Sequence, residues 1–322
     1  MNQYINLNTE TKTIDNLFTH IFIEFYYRNG KFLNEHNSKL TFRKLNESYG
    51  VFDGCYELAK QIYNHLKEMS LKSGESRVLN LGIKNSKWID SLEIMIYYDE
   101  NSNTGASYNT SSQIVKSVNN RRKYLPLKLS VNLASNNIVI NLMHELTHAY
   151  EDYNRKINDK PSIADKALEN GYYLNNSVGN YGYDKKYISY ILYYLTDFEV
   201  NAHLSQLKGE LQNCDKYFVN IQQIVDFLKK TDVYKRYSVI KNYIDFFSNI
   251  SDEKSQSIVL SWVSDLSTLK FRTYKNFVNY INKKYNKIER HMNRFIPKIA
   301  YEYLDYGNTL NNFNGKLPEL NG

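Results

Sequence analysis

Five consecutive residues, His144-Glu145-Leu146-Thr147-His148, set two imidazoles four positions apart and put a carboxylate beside the first. On an α-helix, positions i and i+4 lie on the same side one turn apart, so both rings can reach one divalent ion at about 2.0–2.1 Å. Glu145 then stands beside any water on that ion. This residue set suits water activation, the ion lowering the water's pKa while the carboxylate takes its proton.

Two histidines leave a catalytic zinc one protein ligand short, because such sites commonly use three ligands and an open position. Three carboxylates compete for the third place. Asp152 follows His148 by four residues, but three ligands along one straight helix cannot easily surround an ion. Asp184, in Tyr183-Asp184-Lys185-Lys186-Tyr187, reads as a loop donor. Glu199 is expected in the first turn of a second helix, where Ala202 permits close approach, and is favoured. Thr196 and Glu199 also match a capping box, which would occupy that carboxylate differently. Without a metal, His144 and His148 would be ordinary packed or solvated helical residues.

The elements that must position these groups are legible in the apolar pattern. Ile138, Leu142, Leu146, Ala149 and Tyr153 recur every three or four residues, so the histidines lie on an amphipathic helix that Ser135 or Asn136 can cap. Before it, Leu127, Leu129, Val131 and Leu133 alternate with Lys128, Ser130 and Asn132, the period of a strand. Pro126, lacking a backbone donor, suggests an edge position. Leu92, Ile94, Ile96 and Tyr98 predict a second strand, with 78–83 as its neighbour. Residues 12–28 and 52–72 read as helices, 170–183 as a loop, and 187–195 and 196–211 as helices.

Farther on, Tyr274, Val278, Ile281, Tyr285, Ile288, Met292, Phe295 and Ile299 form a heptad stripe that must pack on a helix of this chain or of another copy. Pro297 is expected to kink that helix. Nine basic residues between Lys270 and Lys298 face one acid, Glu289, and occupy the remaining surface.

The whole chain bounds these readings. With 322 residues, 42% hydrophobic, four Pro and 13 Gly, it is a globular sequence with a sizeable core. Thirty Tyr beside abundant Asn, Lys and Ile read as compositional bias. Cys55 and Cys214 form no CxxC or disulfide spacing. The first residues lack a secretory pattern and no apolar run reaches membrane length, so a cytoplasmic or particle-associated protein is expected. No Walker sequence, dinucleotide fingerprint or serine-nucleophile elbow occurs.

From Leu127 to Leu207 the chain resembles the zincin metallopeptidases, and their glutamate-ligand branch, the gluzincins, in particular. The resemblance rests on the strand, the HExxH helix and the downstream glutamate helix. It implies zinc (Zn2+) held by His144, His148 and Glu199, Glu145 as catalytic base, and substrate backbone added to the strand 127–133. The chain departs from the family in two ways. Fifty residues separate His148 from Glu199, and His203 stands where some members place an Asp. Tyr172, Tyr173, Tyr181, Tyr183, Tyr190 and Tyr194 are candidate oxyanion donors, with His291 a lesser one.

The expected fold is α+β, mostly helical: a helical N-terminal lobe (1–75), a zincin-like core with a small mixed or antiparallel sheet (76–213), a helical C-terminal subdomain (214–306) and a tail (307–322). The expected function is zinc-dependent hydrolysis of a peptide or protein substrate. Two alternatives come from other classes. One is a structural, particle-associated protein retaining such a domain; the other is nucleic-acid binding through the basic helix. Self-association through the heptad stripe is a further expectation.

Overall fold

The computed structural model describes residues 4–6, 54–84, 88–102, 104–109, 112, 114–116, 122–124, 126–169, 183–216 and 218–313. The expected helix at 12–28 and most of the loop at 170–183 lie outside them. The fold is α+β and mostly helical, with a small mixed sheet. It divides into two compact units, Met1–Tyr153 and Asn154–Gly322.

In the first unit, helix α1 (54–66) precedes strand β2 (Ser76–Lys84), with Leu58, Ile62 and Leu66 buried along one face. Strand β1 (Tyr4–Asn6) lies parallel to β2. Strand β3 (Ser91–Tyr97) runs antiparallel to β2, and β7 (Leu127–Asn132) parallel to β3. Alternation decides which face of each strand is covered: Leu92, Ile94, Ile96, Leu127, Leu129 and Val131 are buried, while Met95 is exposed and Glu93 pairs with Lys128 at 3.3 Å. In a separate two-stranded sheet, β5 (Ile114–Lys116) pairs antiparallel with β6 (Arg122–Tyr124).

One expectation about β7 is corrected. It is not an edge strand, because β4 (Ala106–Tyr108) pairs antiparallel along its outer side and gives the order β1-β2-β3-β7-β4. Pro126 stands one residue before the first paired position, Leu127, so its missing N–H falls outside the ladder.

Helix α2 (Ile138–Ile157) follows β7 and carries the HExxH residues. Its first turn is bonded from Asn141 N to Asn137 O at 2.9 Å, one residue later than the expected caps. The Ser135 hydroxyl instead accepts from the Asn141 side-chain amide at 2.8 Å. Trp88, Tyr124, Tyr150 and Tyr153 form a cluster of edge-on and tilted rings near the end of this helix.

The second unit is helical throughout its described residues: α3 (Ile163–Glu169), α4 (Tyr183–Tyr194), α5 (Asp197–Gln212), α6 (Ile221–Lys229), α7 (Asp232–Ser248), α8 (Glu253–Leu266) and α9 (Tyr274–Phe313). Asn220, Thr231 and Asp252 cap α6, α7 and α8, each side chain accepting a backbone N–H three residues on. The long α9 packs against α5, α6, α7 and α8. Its stripe of Tyr274, Phe277, Ile281, Tyr285, Ile288, Met292, Phe295 and Ile299 is buried, with Phe277 taking the place expected of Val278. This chain therefore covers the face that self-association was expected to use. The helix runs through Pro297 to Phe313, into the segment expected as a tail.

Candidate metal centre

The histidines of α2 converge. The Nε2 atoms of His144 and His148 face one another at 2.9 Å, with ring centroids 4.5 Å apart and planes nearly perpendicular at 87°. Nitrogens 2.9 Å apart, each about 2.05 Å from one ion, subtend roughly 90° at it; tetrahedral binding opens that separation to about 3.3 Å. The spacing is therefore close to what one cation needs. Both rings are buried, at 8% and 7% exposure, and between them Glu145 is only half-buried.

Glu199 completes the group. Among the described residues, His144, His148 and Glu199 each offer one ligand atom, and these atoms lie within 4.8 Å of one another. Two imidazoles and a carboxylate are a donor set that suits a divalent ion such as zinc.

The competing uses of these carboxylates resolve differently. The capping box at Thr196 is not formed: its side chain makes no cap hydrogen bond, and its hydroxyl donates to Tyr193 O at 2.7 Å. Asp152 is fully buried and accepts from the Tyr108 hydroxyl at 2.7 Å and the Tyr124 hydroxyl at 3.2 Å. Asp184 falls in the first turn of α4, on a helix rather than a loop.

Around Glu199, α5 and α7 contribute buried polar groups. His203, one turn on, has Nε2 at 3.9 Å from a Glu199 carboxylate oxygen and Nδ1 at 3.0 Å from the Tyr237 hydroxyl. The Tyr194 ring stacks on His203 at 5.3 Å, and Arg236 reaches the Tyr194 hydroxyl at 3.3 Å. Burial, then the Glu199 charge, holds the Tyr237 phenol well above its usual range. Tyr194 is also raised, by burial first and by Glu199 among the smaller causes, against the opposing charge of Arg236. Both phenols therefore stay protonated. Lys287 of α9 reaches Asp197 at 3.5 Å, in the same first turn as Glu199.

Of the expected oxyanion donors, Tyr190 and Tyr194 lie on α4, where their rings stack at 6.0 Å. Tyr172, Tyr173 and Tyr181 lie outside the described residues, and His291 is exposed on α9. The sequence reading missed Tyr108, Tyr124, Arg236 and Tyr237. Their partners stand 16 to 44 positions away in the chain, so no local pattern marks them.

Comparison with protein-family models, with curated proteins and with solved structures gives no match.

Proposed function

We propose that this chain is a zinc-dependent metallopeptidase of the zincin type, gluzincin-like, in which His144, His148 and Glu199 hold the metal and Glu145 is the catalytic base. The observation that carries the reading is the convergence of two Nε2 atoms, 2.9 Å apart, with a ligand atom of the buried Glu199 within 4.8 Å of theirs.

When bound, zinc supplies Lewis acidity, polarising a scissile carbonyl and making water a nucleophile near neutral pH. The chain's own groups do the rest. Glu145 accepts the proton of the attacking water and returns it to the leaving amine. His144 and His148, buried on one side of α2, keep their Nε2 atoms aimed at one point. His203, held by Tyr237 and stacked on Tyr194, stands beside the Glu199 carboxylate and limits its rotation. With β4 outermost, that side of β7 is covered and is not where a substrate strand adds.

A peptide-library digest tests this reading. Cleavage that a chelator abolishes and added zinc restores supports it; a metal-loaded protein that leaves the whole library intact refutes it.

The exposed face of α9 favours a second reading, binding of a nucleic acid. Lys283, Lys287, Arg290 and Arg294 are exposed and follow one another at four, three and four residues. Affinity for DNA or RNA that falls steeply with salt supports that role, and no binding at low salt removes it.

A further inference from the structure

The edge strand β4 is fastened to α2 through one residue, at two points. Tyr108 N donates to Glu145 Oε2 at 2.7 Å, and the Tyr108 hydroxyl donates to Asp152 Oδ2 at 2.7 Å. Glu145 and Asp152 are seven positions apart, about two helical turns, and so lie on the same face of α2. The Tyr124 hydroxyl braces the second point, lying 2.9 Å from the Tyr108 hydroxyl and 3.2 Å from the same carboxylate oxygen.

A third feature brings the strand down onto the helix. A Cβ on Gly105, next to β4, would meet the Asn141 side-chain amide nitrogen at 1.9 Å and the Ser135 hydroxyl at 2.8 Å. Asn141 stands one turn before Glu145 and is held by Ser135, so glycine is what allows the approach.

We propose that Tyr108 is the positioning residue of Glu145: its amide fixes the carboxylate, and Asp152, bracing its phenol, fixes the amide. The inference rests on the reading of Glu145 as the proton carrier. It explains why a carboxylate lies wholly buried four residues beyond His148 without serving as a ligand. A buried carboxylate with two phenolic donors is stable where one without them is not. Burial, followed by the neighbouring Tyr124 and Asp152, raises the Tyr108 phenol far above its usual range, so the donor keeps its proton. A general base held by a fixed amide loses little entropy on reaching its reactive position.

The test uses the full chain loaded with zinc and three variants: Tyr108→Phe, Asp152→Asn and Tyr124→Phe. Three quantities are read: hydrogen exchange at the Tyr108 amide, metal content, and kcat against KM on a cleavable peptide. The expected result is exchange at least about tenfold faster in Tyr108→Phe and Asp152→Asn, and a smaller acceleration in Tyr124→Phe. Metal content stays at the wild-type level, while kcat falls about tenfold with KM little changed. Unchanged exchange in Tyr108→Phe and Tyr124→Phe overturns the proposal, even if Asp152→Asn fails to fold. Loss of metal from Asp152→Asn overturns it differently, by making Asp152 a ligand. If the wild type cleaves no peptide, the functional reading fails while the exchange data still decide the clamp.

Discussion

His144 and His148 bring their Nε2 atoms to 2.9 Å of one another, across rings nearly at right angles. In a neutral pair that separation is the length of an N–H···N hydrogen bond, and the same approach of two lone-pair nitrogens suits two ligands of one ion. The pair is buried, and its backbone is one continuous helix from Ile138 to Ile157. The aim of the two nitrogens is therefore set by the helical repeat, with no loop to distort it.

Glu145→Gln should keep its metal and lose its turnover. The amide is nearly the size of the carboxylate but cannot accept the proton, so kcat should fall by about 10²- to 10⁴-fold. Peptide hydrolysis and elemental analysis on the same preparation check this; equal rates for wild type and variant would remove Glu145 from its role.

Glu199→Ala should lower zinc affinity by at least about tenfold, and Asp184→Ala should leave it unchanged. A first ligand should cost no less than the tenfold to hundredfold typical of its supporting groups. Equilibrium dialysis against zinc at several free concentrations gives the comparison; full affinity in Glu199→Ala would assign the third ligand elsewhere.

Much of this arrangement is legible in the residues themselves, wherever the signal is local. The alternation at Leu127–Val131 and the three-four spacing on α2 and α9 report covered faces: Leu127, Leu129, Val131, Leu142, Leu146, Ala149 and most of the α9 stripe are buried, while Ile138, Tyr153 and Val278 are only partly so. Position in the sheet is another matter. Pro126 suggests an edge, but its missing donor constrains only its own ladder position, and the three residues of β4 are too short to show a period. Tyr108 reaches Glu145 and Asp152 across 37 and 44 positions, and Tyr237 reaches His203 across 34. Such pairs follow from packing, and no spacing rule finds them. At Thr196 the capping-box pattern is present, but a local acceptor takes the hydroxyl, which turns back to the carbonyl of Tyr193 three residues earlier.

Tyr237→Phe should destabilise the helical unit by about 1–3 kcal/mol, the usual cost of leaving a buried polar partner unmatched. The group affected is His203, 1% exposed, whose Nδ1 meets the Tyr237 hydroxyl. Urea unfolding of wild type and variant measures the difference; identical midpoints would mean that this contact contributes nothing.

Glu210 gives the chain a pH-dependent stability of known sign. Burial, reinforced by Asp232 and opposed by Arg236, pushes its carboxyl up to about 7. A raised folded-state pKa favours the protonated form. That contribution is complete below the ordinary value of 4.5 and is lost as pH rises through about 7. Glu210→Gln, neutral at every pH, should therefore gain in Tm relative to wild type between pH 4.5 and pH 8. A Tm difference that stays constant, or shrinks, across that range would contradict the assignment.

The most direct measurement is the metal content of the purified chain, dialysed against zinc, beside that of the His144→Ala/His148→Ala double variant. The account predicts close to one zinc per wild-type chain and almost none in the folded double variant. Equal zinc in the two proteins, or none in the wild type, would contradict it.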